Sequence, residues 1–251
     1  MRRIKNQQAR ERWIAQTLRA LPADGSLLDV GAGECAHKKY CDHLDYVAQD
    51  IAEYDGVGDG AGLQTGAWDT SRLDFICDLY DIPEDRRYDT VFCSEVLEHV
   101  VDPVRALEKL TRLTRPGGRV IVTAPFNSLT HFAPYHYCTG FSQYFYKVHF
   151  ERLGFEIVEM TANGGYFDMM DQELGRVGKV RRRFGVWVPE PVTFLLSQIT
   201  RLNMRLLAAM DGGRMARRSR ELQCMGWFVI ARSREGAGDD ASPSGQAHDG
   251  G

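Results

Sequence analysis

The chain is expected to fold as an α/β protein built on a doubly wound, mostly parallel sheet of seven strands. Two observations carry this: short apolar runs alternate with longer amphipathic ones, and glycine-rich turns follow the runs. A helical insertion is expected before the last strand. The 251 residues are 43% hydrophobic and 26% charged, a globular balance that excludes disordered, collagenous and coiled-coil chains.

Taken in order, Arg10 to Leu21 places Trp13, Ile14, Thr17, Leu18 and Leu21 on one helical face, and Pro22-Ala23-Asp24-Gly25 ends it. Ser26 to Val30 reads as a buried strand running straight into Gly31-Ala32-Gly33, and Tyr46 to Asp50 as a second strand. The stretch from Tyr54 to Thr70, with Gly56, Gly58, Gly60, Gly62 and Gly66, reads as a loop. Leu73 to Asp78 and Tyr88 to Cys93 are the third and fourth strands, and Val96 to Leu113 has helical spacing. Arg115-Pro116-Gly117-Gly118 is a sharp turn into Arg119 to Ala124, the clearest strand signal of all. Phe145 to Leu153 reads as a helix stopped by Gly154. Phe155 to Met160 and Met225 to Ala231 complete the seven. Residues 1–234 therefore form one domain, 162–221 its basic helical insertion or lid, and 235–251 a disordered tail rich in Gly, Ser and Asp.

Six cysteines spread over so long a chain read as reduced thiols, which points to the cytoplasm. No apolar stretch reaches the roughly 18 residues of a spanning helix, and the basic N-terminus lacks the core of a secretory signal. The net charge is −3, but Arg176 to Arg220 holds eleven basic residues against Glu190 and Asp211. Within it Val192, Leu195, Leu196, Ile199, Leu202, Leu206 and Met210 recur at helical spacing. A lid or homodimer helix is the preferred reading, contact of 176–220 with a membrane surface the alternative, and nucleic acid is not expected.

Ligands of doubly wound sheets gather at the carboxyl ends of the strands. Asp29-Val30-Gly31-Ala32-Gly33-Glu34 stands there and even satisfies the dinucleotide fingerprint as Gly31-x-Gly33-x-x-Ala36, with Asp50 further on. Asp29 and Glu34 flank the glycines, however, and would repel a pyrophosphate while suiting a ligand with cationic groups. With Asp50, Cys77-Asp78-Leu79, Ser94-Glu95-Val96-Leu97-Glu98-His99-Val100 and Arg115-Pro116-Gly117-Gly118 following in order, the segment from Leu27 to Ala124 resembles the class I S-adenosylmethionine-dependent methyltransferases of the type 11 group, a Rossmann-like fold.

The resemblance implies S-adenosylmethionine as cofactor. Gly31, Ala32 and Gly33 would admit its methionine and ribose part and Asp29 would help hold the ammonium. Asp50, with Ile51 beside it, would accept from the ribose hydroxyls, Asp78 and the Leu79 backbone would meet the adenine, and Ser94 and Glu95 would line the floor beside the sulfonium. His99 belongs to the scaffold or cofactor wall. The cluster Cys35, His37, Cys41 and His43, in a helix-like stretch beside the glycine turn, lacks the tighter pairs of a zinc site, so no metal is expected.

The acceptor loop should follow the fifth strand, where Pro125 to Tyr137 brings His131, Tyr135, His136 and Tyr137 together. His136, then His131, is the expected base, with Tyr135 orienting the acceptor. Asn163 to Asp168 would cap the same pocket. The expected reaction is O-methylation of a small-molecule or saccharide hydroxyl. Alternatives are N-methylation of an amine, a cofactor-binding domain without catalysis, and a dinucleotide-dependent enzyme.

Overall fold

The computed structural model describes residues 5–212 and 218–234; the tail 235–251, with Arg214 and Arg217, lies outside the described residues. Seven strands form one sheet in the order β3-β2-β1-β4-β5-β7-β6. These are β1 (Ser26–Val30), β2 (Asp45–Asp50), β3 (Phe75–Ile76), β4 (Tyr88–Ser94), β5 (Thr114–Pro125), β6 (Phe155–Ala162) and β7 (Gly226–Ser233). The first five pair in parallel, and β7 slots antiparallel between β5 and β6. The strand order reverses between β1 and β4, which sets the place for a ligand.

Alternation along the strands divides the core into two layers. Leu28, Val30, Val91, Cys93, Val120 and Val122 face α2 (Pro103–Arg112) and α3 (Gln143–Arg152). Leu27, Phe92 and Ile121 face α1 (Asn6–Arg19) through Ile14 and Leu18. Three further helices, α4 (Tyr166–Leu174), α5 (Val177–Arg183) and α6 (Glu190–Met210), form the insertion between β6 and β7.

Three elements depart from the sequence expectation. The helix expected from Val96 starts only at Pro103, because Asp102 caps it by accepting from the Arg105 N–H at 3.0 Å and proline suits the first turn. Residues Leu97–His99 before it form a 3-10 turn. The third strand shrinks to two residues, since this edge pairs only with Gln49 and Asp50 of β2. The stretch holding Cys35 to His43, expected as helix-like, contains only a 3-10 turn at Lys38–Tyr40, so the β1–β2 crossover carries no α-helix.

Five basic side chains of the insertion pair with carboxylates inside it, Arg176 with Glu173 among them. Arg201 and Arg205 share Asp171, Arg181 and Arg182 share Glu190, and Arg183 donates to the Gly60 and Gly62 carbonyls. The apolar side of α6 stays open, with Leu195, Leu196, Ile199 and Leu202 more than half exposed. Among the described residues no helix is long and apolar enough to cross a membrane.

Candidate active site

A cavity of about 320 Å³ opens at the carboxyl ends of β1 and β4. Of the residues expected there, Gly31, Asp50, Ile51, Asp78, Leu79, Glu95 and Tyr135 line it. Asp50, buried at the end of β2, takes the Gly33 N–H on Oδ2 at 2.9 Å and the Ala52 N–H on Oδ1 at 2.8 Å. Each oxygen keeps capacity for a second donor. Asp78 caps the turn Leu79–Asp81 by accepting from the Tyr80 N–H at 2.9 Å.

Gly31 has φ 72°, and a Cβ there would stand 2.2 Å from Val96 Cγ2. The glycine is therefore demanded by the loop after β4, which crosses over the β1 turn, as much as by any ligand. Glu95 opens that loop at φ 58° and is held by two donors, the Arg10 guanidinium from α1 and the Thr123 hydroxyl at 3.1 Å.

Not all expected residues reach the cavity. Asp29 follows the strand alternation to the α1 side, where it is buried and accepts from the Tyr46 hydroxyl at 2.5 Å. Burial outweighs His37 and this hydrogen bond and pushes its carboxyl up to about 6. It does not line the cavity. Ala32 and Gly33, in the turn itself, do not line the cavity, and the Ser94 hydroxyl pairs with Thr123 at 2.8 Å. The Cys35–His43 run does not converge, for Cys35 donates to the Arg72 carbonyl and His43 meets that of Leu21.

The opposite wall is aromatic. Tyr54 and Trp68 from the glycine-rich loop and Phe132 from the loop after β5 stand with ring centroids 4.8–5.3 Å apart. The two loops interlock, with Leu63 bridged to His131, and a Cβ on Gly58 would sit 1.9 Å from the Ala133 oxygen. Phe132 stacks on His99, whose Nδ1 meets the Tyr135 carbonyl at 2.5 Å. Burial lowers the His99 imidazole to about 4, so it is neutral near pH 7.

A second cavity, about 270 Å³, adjoins the first through Glu95 and Phe132. Asn127, Ser128, Leu129 and His131 line it from the acceptor loop, opposite Asn6 of α1 and Gln172 and Arg176 of the insertion. The cap expected from Asn163 to Asp168 comes instead from these last two. Asn163 donates to the Asn6 side chain, and Asp168 binds the Gly165 N–H at the start of α4. His131 faces this cavity, whereas His136 lines neither and stands behind His131, centroids 4.8 Å apart, with Nε2 on the Ser128 hydroxyl at 3.1 Å. Burial, then His131, lowers the His136 imidazole.

Residues 5–160 match the family model described as Methyltransferase domain. The chain belongs to this family. That match makes it an S-adenosylmethionine-dependent methyltransferase, and its seven-stranded sheet has the class I fold. A protein from Galdieria sulphuraria assigned as a sarcosine dimethylglycine methyltransferase shares the fold at TM-score 0.51 and 14% identity, over 91% of this chain and 86% of that one. The [4+2]-cyclase SpnF shares it at TM-score 0.50 and 17% identity, over 92% and 83%. At such identity the likeness concerns the fold. Among curated proteins, the ubiquinone biosynthesis O-methyltransferase of Aeromonas salmonicida is 51% identical over 37 residues, that of Alkalilimnicola ehrlichii 50% over 38. These segments cover 15% of this methyltransferase and 16% and 15% of those enzymes.

The cavity suits the family's cofactor on its own chemistry. Asp50, Glu53, Asp78 and Glu95 line it and, among the described residues, no lysine or arginine does, a wall that disfavours a pyrophosphate and suits a cationic nucleoside. Sequence reasoning missed Glu53, Tyr54 and Trp68, whose one signal was aromatic residues inside a glycine-rich loop.

Proposed function

We propose that this methyltransferase binds its cofactor in the β1–β4 cavity and methylates a hydroxyl of a small molecule or saccharide in the adjoining one. The observation that carries this is the shared wall: an acid-lined, aromatic cavity meets, across Glu95 and Phe132, a polar cavity holding His131. When bound, S-adenosylmethionine supplies a methyl carbon already activated on a sulfonium.

The chain's own residues bind, orient and exclude. Asp50 would accept from the two ribose hydroxyls, a task a carboxylate performs with both oxygens. Asp78 and the Leu79 backbone would hold the adenine amino group, and Ile51 would cover the ring edge. Tyr54, Trp68 and Phe132, which line the cavity, would offer aromatic surface to the cationic sulfur and exclude water from it. Holding acceptor oxygen and methyl carbon in line is the larger part of the rate gain. The hydroxyl proton passes to Nε2 of His131, whose Nδ1 is held on the Leu129 carbonyl and whose ring is backed by His136, while Tyr135 fixes His99 through its carbonyl. A hydroxyl acceptor accords with the O-methyltransferase names of the partly matching relatives.

The test is incubation with cofactor labelled in its methyl carbon and a panel of phenols, saccharides and amines, with products read by mass spectrometry and NMR. Label on oxygen is expected. Label on nitrogen alone overturns the hydroxyl reading, and absence of cofactor binding by calorimetry overturns the whole assignment.

A further inference from the structure

Buried on the wall of the second cavity is a carboxylate with no partner. Glu98 is fully buried, and among the described residues neither of its side-chain oxygens has a hydrogen-bond partner. A charge so placed costs several kcal/mol unless something pairs it. Glu95 and Arg10 act on it through space, and two imidazoles bring ring nitrogens within ligand reach of it. His99 puts Nδ1 on the Tyr135 carbonyl at 2.5 Å, which assigns the proton to that nitrogen and leaves a lone pair on Nε2. This Nε2 is buried without a partner and stands 3.8 Å from Glu98 Oε1. His131 repeats the pattern with Nδ1 on the Leu129 carbonyl at 2.8 Å, leaving its Nε2 for the cluster. Each of the three offers one ligand atom, all within 4.8 Å of one another.

We propose that Glu98, His99 and His131 form a binding site for a divalent transition-metal ion of the zinc or cobalt type, with its open coordination positions turned into the second cavity. Two neutral imidazoles, each held by a backbone carbonyl on the far nitrogen, and one carboxylate are the donor set such ions take. Ligands to zinc lie about 2.0–2.2 Å from the ion, so the three close by roughly an ångström on binding. His131 sits on a partly exposed loop, which makes that closure easy. Magnesium, which favours all-oxygen sets, is not expected to bind. Glu98 and His131 both line the cavity assigned above to the acceptor, so an acceptor oxygen is the natural further ligand. That role rests on the methyl-transfer reading; with an ion in place, His131 holds it instead of taking a proton.

The experiment is calorimetric titration of chelator-treated full chain with zinc, cobalt and magnesium chlorides, with neither cofactor nor acceptor present. One zinc or cobalt ion per chain is expected, with the visible absorption of bound cobalt showing nitrogen ligation. His131→Ala, on a loop and outside the core, should weaken binding more than about tenfold. Glu98→Gln, which keeps shape and loses charge, should do the same, and His136→Ala should leave the ion in place. No ion at unit stoichiometry, or equal binding by His131→Ala with unchanged circular dichroism, overturns the site. An ion bound as expected by a chain that methylates nothing in the panel leaves the site standing and removes only the reading of the cavity.

Discussion

The Arg10 guanidinium of α1 closes on the Glu95 carboxylate at the end of β4, a contact spanning 85 residues of chain. Both side chains are mostly buried, at 19% and 26% exposure. Glu95 borders both cavities, so this ion pair fastens the first helix to the wall between them. Arg10→Ala should cost about 1–3 kcal/mol in urea unfolding, the range for a charge-assisted hydrogen bond. A double-mutant cycle with Glu95→Gln should return a coupling of about 1 kcal/mol or more, and additive effects would show that the contact carries no stability.

Asp50 is expected to be worth about ten- to a hundredfold in affinity for S-adenosylhomocysteine, the loss that follows a charge-assisted hydrogen bond. Titration of Asp50→Ala measures it. Unchanged affinity would place the ribose elsewhere.

The aromatic wall should tell a charged ligand from a neutral one. Replacing Trp68 or Tyr54 by Leu removes a ring worth about 1 kcal/mol to a cation, so S-adenosylmethionine should lose about fivefold more affinity than S-adenosylhomocysteine, whose sulfur carries no charge. Equal losses would mean that the rings act by packing alone.

Asp29 predicts a pH dependence of stability. Its folded pKa of about 6 lies above the ordinary value of 3.8, so the folded state holds this proton more tightly than the unfolded one. Stability is therefore lost as pH rises from about 4 through 6, and above that the buried charge costs on the order of 3 kcal/mol. Asp29→Asn keeps an acceptor for the Tyr46 hydroxyl and removes the charge. Its stability relative to the parent, from denaturant midpoints, should improve between pH 5 and 8, and a constant difference would refute the account.

Much of the frame was legible because local signals and tertiary need agree. The apolar runs at Ser26–Val30 and Arg119–Ala124 became strands, and the acids ending strands, Asp50 and Asp78, landed in the cavity. Asp29 did not, although it is adjacent to the glycine turn, because a strand's period of two sends it to the other face. Tyr54 and Trp68 were unreadable as wall residues, since a loop without periodicity is placed only by what it packs on, here the loop after β5. The same limit exchanged His136 for His131: their order along a loop says nothing about which ring turns to the cavity. Glu98 looked like part of a scaffold run, and only its depth without a partner marks it.

The interlocked loops, joined at Leu63 and His131, have a kinetic consequence. Phe132 belongs to both chambers, so a ligand that settles against it in one chamber orders the partition for the other. The second arrival then meets a surface whose freedom is already lost, and by linkage each ligand tightens the other by the same factor. Turnover should accordingly proceed through a ternary complex with mutual synergy between the two substrates, not through independent occupancy.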